Sequence, residues 1–154
     1  MKLIDGVVVK QLKTVTDERG FLMEMIRNDD SFFEQFGQVY ATTCNPGYVK
    51  GWHYHTKQVD HFVVVKGTAR IVLYDRRETG PTKGMINEFM MGDANRILLK
   101  IPCGVMHGFE CIGKEPAMII NVPNLPYDYK QPDELKIPFD TPDIPYKWKA
   151  TKGG

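Results

Sequence analysis

The chain has 154 residues, enough for one domain with a buried core and too few for two ordinary ones. Its 20 basic and 19 acidic residues leave a net charge of +1, which excludes the basic field of a nucleic-acid binder. No apolar run approaches the roughly 18 residues of a membrane span.

The N-terminus, Met1-Lys-Leu-Ile-Asp-Gly6, lacks an apolar leader, and the three cysteines follow no framework pattern, so a reducing cytoplasm is expected. Val7 to Leu12 is β-branched and reads as a strand. Asp17-Glu-Arg-Gly20 reads as a turn, and Phe21 to Ile26 as a return to extended chain. Ser31-Phe-Phe-Glu34 has capping-box spacing and predicts one short helix ending before Gly37. Strands are then predicted over Gln38–Cys44, Thr68–Asp75, Met85–Met91, Arg96–Ile101, His107–Ile112 and Ala117–Val122, each bounded by Gly, Pro or Asn turns. Short strands at this spacing imply an antiparallel sandwich or barrel. Six of the ten prolines fall in the last 32 residues, interleaved with aromatics. Because each proline removes a ladder donor, residues 123–154 are expected to form a strap packed along a single domain spanning 1–154.

The densest chemistry lies in Gly47-Tyr-Val-Lys50-Gly-Trp-His53-Tyr-His55-Thr-Lys-Gln-Val-Asp60-His61, which continues to Gly67. Two histidines two residues apart in a strand present their rings to one face. The fourth histidine, His107, follows the turn Pro102-Cys-Gly-Val-Met. His61 alternates with Asp60 and is expected to face elsewhere. Two readings fit this set. A histidine of near-neutral pKa suits proton abstraction beside a ketone. Alternatively, His53, His55, Asp60 and His107 supply three imidazoles and a carboxylate, a donor set for one divalent ion such as Zn, Mn, Fe or Ni. Cys103 and Cys111 flank His107 and add a zinc-thiolate option, against the blander reading of buried thiols. Arg70 and Arg76 are further phosphate-anchor options, with Arg76 also suited to pairing with Asp75.

The order of these blocks resembles the cupins, specifically the dTDP-4-dehydrorhamnose 3,5-epimerase branch. The resemblance is carried by Asp17-Glu-Arg19-Gly-Phe-Leu-Met-Glu24, Lys50-Gly-Trp-His53-Tyr, Tyr74-Asp-Arg-Arg, Ile101-Pro-Cys-Gly-Val-Met-His107-Gly-Phe109 and Phe139-Asp-Thr-Pro-Asp-Ile-Pro-Tyr-Lys-Trp148. Tyr40 followed by Lys50-Gly-Trp-His53-Tyr-His55 is also similar to the dTDP-4-keto-6-deoxy-sugar 3,4-ketoisomerases. There are departures: Lys50 stands for the family's arginine, Asp60 for its oxyanion lysine and Asn121 for its general-acid tyrosine.

The resemblance implies an all-β double-stranded β-helix, the jelly-roll or cupin barrel. It also implies an isomerase acting on a dTDP-linked 4-keto-6-deoxyhexose, in deoxysugar or cell-surface polysaccharide biosynthesis. His53 would be the base, His55 the proton shuttle, and Lys50 with His107 the oxyanion contacts. Arg19, Glu24, His107 and Asp60 would bind substrate, Arg19 at the diphosphate. No cofactor would be needed. The expected partner is a nucleotide-diphosphate sugar, with a second copy of the chain in a homodimer that lends an N-terminal strand, and neither nucleic acid nor membrane. The alternatives are the metal-dependent cupin above and a non-catalytic sugar-binding cupin.

Overall fold

A computed structural model describes all of residues 1–154. Thirteen strands form: β1 (Val8–Gln11), β2 (Thr14–Asp17), β3 (Gly20–Met23), β4 (Tyr40–Cys44), β5 (Tyr48–Tyr54), β6 (Asp60–Lys66), β7 (Thr68–Asp75), β8 (Ile86–Gly92), β9 (Ile97–Ile101), β10 (Val105–Cys111), β11 (Ala117–Asn121), β12 (Leu135–Lys136) and β13 (Lys152–Gly153). The first sheet runs β1-β9-β6-β11-β4. The second runs β12-β5-β10-β7-β8, with β13 added parallel to β5. The hairpin β2–β3 is a separate two-stranded sheet. The all-β, cupin-like barrel expected from the sequence is what forms.

The two sheets face each other over one apolar core, in which Ile71, Leu73, Leu99 and Ile119 are fully buried. Alternation explains the choice of faces. In β8 the burial runs i-B-e-B-e-B-B, so Phe89 and Met91 enter the core while Glu88 and Met90 face out. β10 is buried along its whole length because both of its faces are covered. On the outer face of the second sheet, Trp52, Val72 and Met106 lie beneath Ile144, Tyr146 and Trp148 of the tail. On the outer face of the first, Val63 and Leu98 lie beneath Met25, Ile26 and Phe32.

Two expectations are corrected. No helix forms after Ser31. That stretch makes a single turn, closed by Phe33 N–H donating to Asp30 O at 2.9 Å. Glu34, the would-be capping residue, is instead paired with Lys100 at 2.9 Å and receives Asn124 Nδ2 at 3.0 Å. Gly37 N–H is held by Pro123 O at 2.9 Å, so fewer than two turns of chain are free, too few to repay helix nucleation. Nor is the tail a proline-rich strap. β12 and β13 pair with β5 and make the tail part of the second sheet, and its prolines all lie outside those paired residues.

Candidate active site

At one end of the barrel a cleft of about 250 Å³ opens between the two sheets. Its second-sheet wall carries Lys50, His53, His55 and His107, and its first-sheet wall carries Tyr40 and Phe62. Glu134 and Lys136 of the tail close a third side. A larger groove of about 920 Å³ opens among tail residues 139–151, but it contains no histidine, and its titratable residues are Asp140, Tyr146 and Lys147. The chemistry therefore belongs to the smaller cleft.

Lys50 and His53 are three residues apart, so strict alternation would send them to opposite faces. β10 pairs His107 with His53 and Phe109 with Lys50, which leaves β5 one residue longer than its partner over this span. That bulge returns both side chains to the cleft. Gly51 makes it possible. Its φ is 155°, and a Cβ there would stand 2.7 Å from Gly108 Cα. His55, just past the end of β5, then lies on the same side as His53.

Asp60, 1% exposed at the start of β6, reaches across from the first sheet. Its Oδ2 is 3.2 Å from His55 Nε2 and 3.4 Å from His107 Nε2. Its Oδ1 accepts Gln58 Nε2 and Asn121 Nδ2, each at 2.8 Å. The amide of Asn121 cannot be turned round, because its Oδ1 accepts the backbone N–H of His61 at 2.9 Å. The same Asn121 Nδ2 donates to Tyr40 Oη at 2.9 Å. With that lone pair engaged, the hydroxyl hydrogen of Tyr40 is left for the cleft.

Both inner rings have the same internal orientation. His55 Nδ1 faces the backbone carbonyl of Asp133, and His107 Nδ1 faces that of Val105. A carbonyl only accepts, so each Nδ1 carries hydrogen and each neutral ring turns an Nε2 lone pair toward Asp60. Two lone pairs aimed at one carboxylate oxygen call for an additional proton, and the surroundings put it on His55. Burial disfavours the His55 cation, but the Asp60 hydrogen bond and charge and the Asp133 carbonyl outweigh it and raise its pKa. Burial lowers the pKa of His107 despite the Asp60 charge. Asp60 is itself pushed up by burial, yet His55, His107 and Asn121 hold it at about 2. His53 stands apart: burial, helped by the His107 charge, brings it down to about 4, so its ring is neutral at pH 7. Burial pushes Tyr40 up to about 12, so it keeps its proton.

The expected residues are thus only partly brought together. Lys50, His53, His55 and His107 share the cleft and Asp60 lies beneath it. Arg19 and Glu24 do not reach it. Arg19, its side chain 82% exposed, pairs with Asp17, and Glu24 pairs with Arg27. The four-residue metal set does not assemble either. His55, Asp60 and His107 place donor atoms within 4.8 Å of one another, but His53 lies outside that group. Asp60 already spends Oδ1 on two amides and turns Oδ2 to hydrogen-bond distance of the rings. The four-residue cage is therefore not formed, and what is left of it is the buried trio His55, Asp60 and His107. Cys111 turns its thiol to Gly113 O and Glu115 O, away from His107, and Cys103 is exposed. Asp75 is held by Arg77, whereas Arg76 lies 4.9 Å over the Tyr54 ring. Arg70 is paired with Glu110 and is no phosphate anchor. His61 faces away from Asp60 as expected, donating from Nδ1 to Val122 O at 2.7 Å.

Gln58, Asn121 and Asp133 were not singled out as site residues. Gln58 and Asn121 are uncharged, and Asp133 lies in a tail whose prolines mask its pairing with β5. The Asn121 substitution for a tyrosine was the one available signal.

The sequence pattern of the polysaccharide biosynthesis C-terminal domain family matches residues 15–135. The spore coat polysaccharide biosynthesis protein SpsL of Bacillus subtilis is 43% identical over 148 residues, covering 96% of this chain and 98% of that protein. A probable low-salt glycan biosynthesis epimerase of Haloferax volcanii is 41% identical over 152 residues, 97% of each chain. Among solved structures, a dTDP sugar isomerase from Desulfovibrio desulfuricans superposes with a TM-score of 0.89 at 34% identity, covering 94% of this chain and 92% of that one. More distant relatives bear the name dTDP-4-dehydrorhamnose 3,5-epimerase, in line with the resemblance read from the sequence.

Proposed function

The chain belongs to the polysaccharide biosynthesis C-terminal domain family, and on that premise we propose that it is an epimerase-type isomerase of a dTDP-linked 4-keto-6-deoxyhexose. The observation that carries this reading is the pairing, in one cleft, of a neutral His53 with two proton-bearing groups, His55 and Tyr40. The hydrogen on the carbon beside a ketone is acidic enough for such a base, because the electron pair it leaves behind is delocalised onto the ketone oxygen. His53 takes the C3 proton, and the C–H pair becomes the enolate. Lys50 Nζ, held by Thr42 Oγ1 at 3.0 Å, is suited to face the enolate oxygen. Collapse of the enolate with a proton delivered to C3 from the opposite side inverts that centre. Tyr40, on the wall across from the histidines, is the donor suited to this. Neither step changes oxidation state, so the chemistry requires no cofactor.

A second outcome is favoured by the placement of His55 beside His53 on one edge. Protonation of the ketone oxygen by His55 gives an enediol. Loss of the O3 proton and protonation at C4 then move the ketone to C3, a ketoisomerisation. Incubation with dTDP-4-keto-6-deoxyglucose in deuterated water, followed by NMR, tests both readings. Loss of the C3 hydrogen is expected in both: deuterium at an inverted C3 marks the epimerisation, and a 3-keto product with deuterium at C4 marks the ketoisomerisation. Exchange only at C5, or none, would overturn the assignment.

The hairpin β2–β3 supports a homodimer. It pairs with no other strand and leaves Val15, Phe21 and Leu22 at 69%, 53% and 61% exposure. A lone two-stranded hairpin is marginal in water, and these apolar faces suit a partner's surface. Docked there, Arg19 would bring a guanidinium to the diphosphate and Glu24 a carboxylate to the sugar of the neighbouring site. Three unpaired thiols suit work in the cytoplasm.

A further inference from the structure

Asp133 lies in the tail just ahead of β12, 78 residues from His55 in sequence, and it touches the site twice. Its carboxylate collects the loop that follows β5. Oδ1 accepts Thr56 N–H at 3.0 Å and the Thr56 hydroxyl at 2.5 Å, and Oδ2 accepts Lys57 N–H and Gln58 N–H, each at 2.9 Å. Three successive backbone N–H groups converging on one carboxylate make an anion-binding concavity, here filled by a residue of the chain itself. With the side chain anchored in this way, the carbonyl of the same residue lies on His55 Nδ1. The loop it gathers ends in Gln58, whose side chain holds Asp60.

We propose that Asp133 is a positioning residue. By stapling the 56–58 loop to the tail it keeps its own carbonyl on His55 Nδ1, which fixes the permanent ring proton there and leaves Nε2 as the only position from which His55 exchanges protons. This rests on the isomerase reading for its catalytic consequence, but the ring geometry does not depend on any substrate. The groups that face His55 from neighbouring elements are Asp60 on β6, His107 on β10, His53 on β5, Tyr40 on β4, and Asp133 and Glu134 in the tail. Of these, Asp133 alone acts on Nδ1. A carboxylate doing nothing but tying down a loop would leave the tautomer and the titration of His55 as they are. A positioning carboxylate sets both.

The test uses the full chain without substrate first. In 15N-labelled protein the histidine ring resonances report which nitrogen of His55 carries hydrogen across the pH range. The expected result is Nδ1 protonated throughout in the wild type. In Asp133→Ala the neutral ring becomes a mixture of tautomers, which is the mark of lost positioning, and the midpoint moves to lower pH, because the Asp133 charge is gone and the carbonyl supporting the cation is no longer held in place. With the nucleotide sugar added, kcat is expected to fall by about 10- to 100-fold, the usual cost of losing a partner that orients a reacting imidazole, while KM changes by less than about 3-fold. Thr56→Val removes one of the four contacts and guards against a variant that fails to fold. It should shift the same resonances in the same direction by less. Asp133→Ala or Thr56→Val protein with a lower Tm but unchanged His55 tautomer and midpoint would overturn the proposal. Wild-type protein that fails to turn over the sugar would count against the isomerase reading alone, since the resonances decide the role of Asp133 separately.

Discussion

Two of the polar clusters buried in this barrel are built to opposite ends. On the outer side of the second sheet, Arg70 Nη1 donates to Glu110 Oε1 at 2.7 Å, and Glu110 Oε2 receives the backbone N–H of Ala150 at 2.7 Å. Glu88 Oε1 approaches Arg70 Nε at 3.2 Å, an ion-pair contact outside hydrogen-bond alignment, while Glu88 Oε2 receives the Tyr146 hydroxyl at 2.6 Å. A guanidinium does not give up its proton in water, so this cluster holds a fixed charge and uses it to fasten the tail to β7, β8 and β10. At the mouth of the barrel, His55, Asp60 and His107 are as deeply buried, yet their charge depends on a proton that can leave. The comparison separates buried charge that is fixed from buried charge that can change with one proton.

The largest effect is expected from breaking the mouth. His53→Asn keeps a polar side chain of similar size and loses the base. Turnover, read as deuterium incorporation at C3, should fall by about 10²- to 10⁴-fold, with Tm moving by no more than a few degrees. Undiminished exchange would remove His53 from the mechanism. The outer cluster should respond the other way. In Arg70→Met, Glu110 is left 1% exposed without its cation. Removing one partner of such a pair costs about 3–5 kcal/mol, a fall in Tm on the order of 10 °C for a domain of this size. Turnover by the fraction still folded should stay within about 2-fold of wild type. Thermal melts beside the exchange assay check both halves, and an Arg70→Met protein that loses activity at unchanged stability would erase the distinction.

Much of this division was legible in the sequence. The strand run from Thr68 to Asp75 coincides with β7, because β-branched and apolar residues interrupted only by Arg70 and bounded by turns leave little choice. The spacing of His53 and His55 placed two rings on one edge of the cleft. What escaped were features fixed by partners distant in sequence. Asn121 acquires a role only because β11 brings it to Asp60, 61 residues away, and Gln58 only because Asp133, 75 residues on, gathers its loop. The capping-box pattern at Ser31 failed because Glu34 finds Lys100, 66 residues on, a better partner than its own helix N-terminus. Proline content argues for a strap packed along the barrel, yet β12 and β13 need only two residues each to join the sheet. The functional meaning of Asp60 was open for the same reason, since it rests on two rings carried by the opposite sheet.

The finest test of the comparison is the pH dependence of stability in the acid range, where the mouth contains opposing contributions. His53 has its folded pKa depressed to about 4 against an ordinary 6.5. Its contribution is therefore complete above about pH 6.5 and is lost as pH falls toward 4, because the unfolded chain takes up the proton first. The slope from one such group is at most about 1.4 kcal/mol per pH unit, less any relief from its partial exposure. His55 has a raised folded pKa, so its contribution is complete below about 6.5 and is lost as pH climbs through the folded value. Asp60, held at about 2, keeps its contribution until pH falls below about 4. Between pH 6.5 and 4, then, His53 and His107, both with depressed folded pKa values, are the mouth residues that weaken the fold. In His53→Asn, Tm measured across that interval should decline less steeply than in the wild type, with the two curves parallel above pH 7. Arg70→Met should instead displace the wild-type curve downward at pH 7, where Glu110 is left buried without its cation. Parallel wild-type and His53→Asn curves from pH 7 to 4 would mean that His53 is not the depressed base its burial makes it.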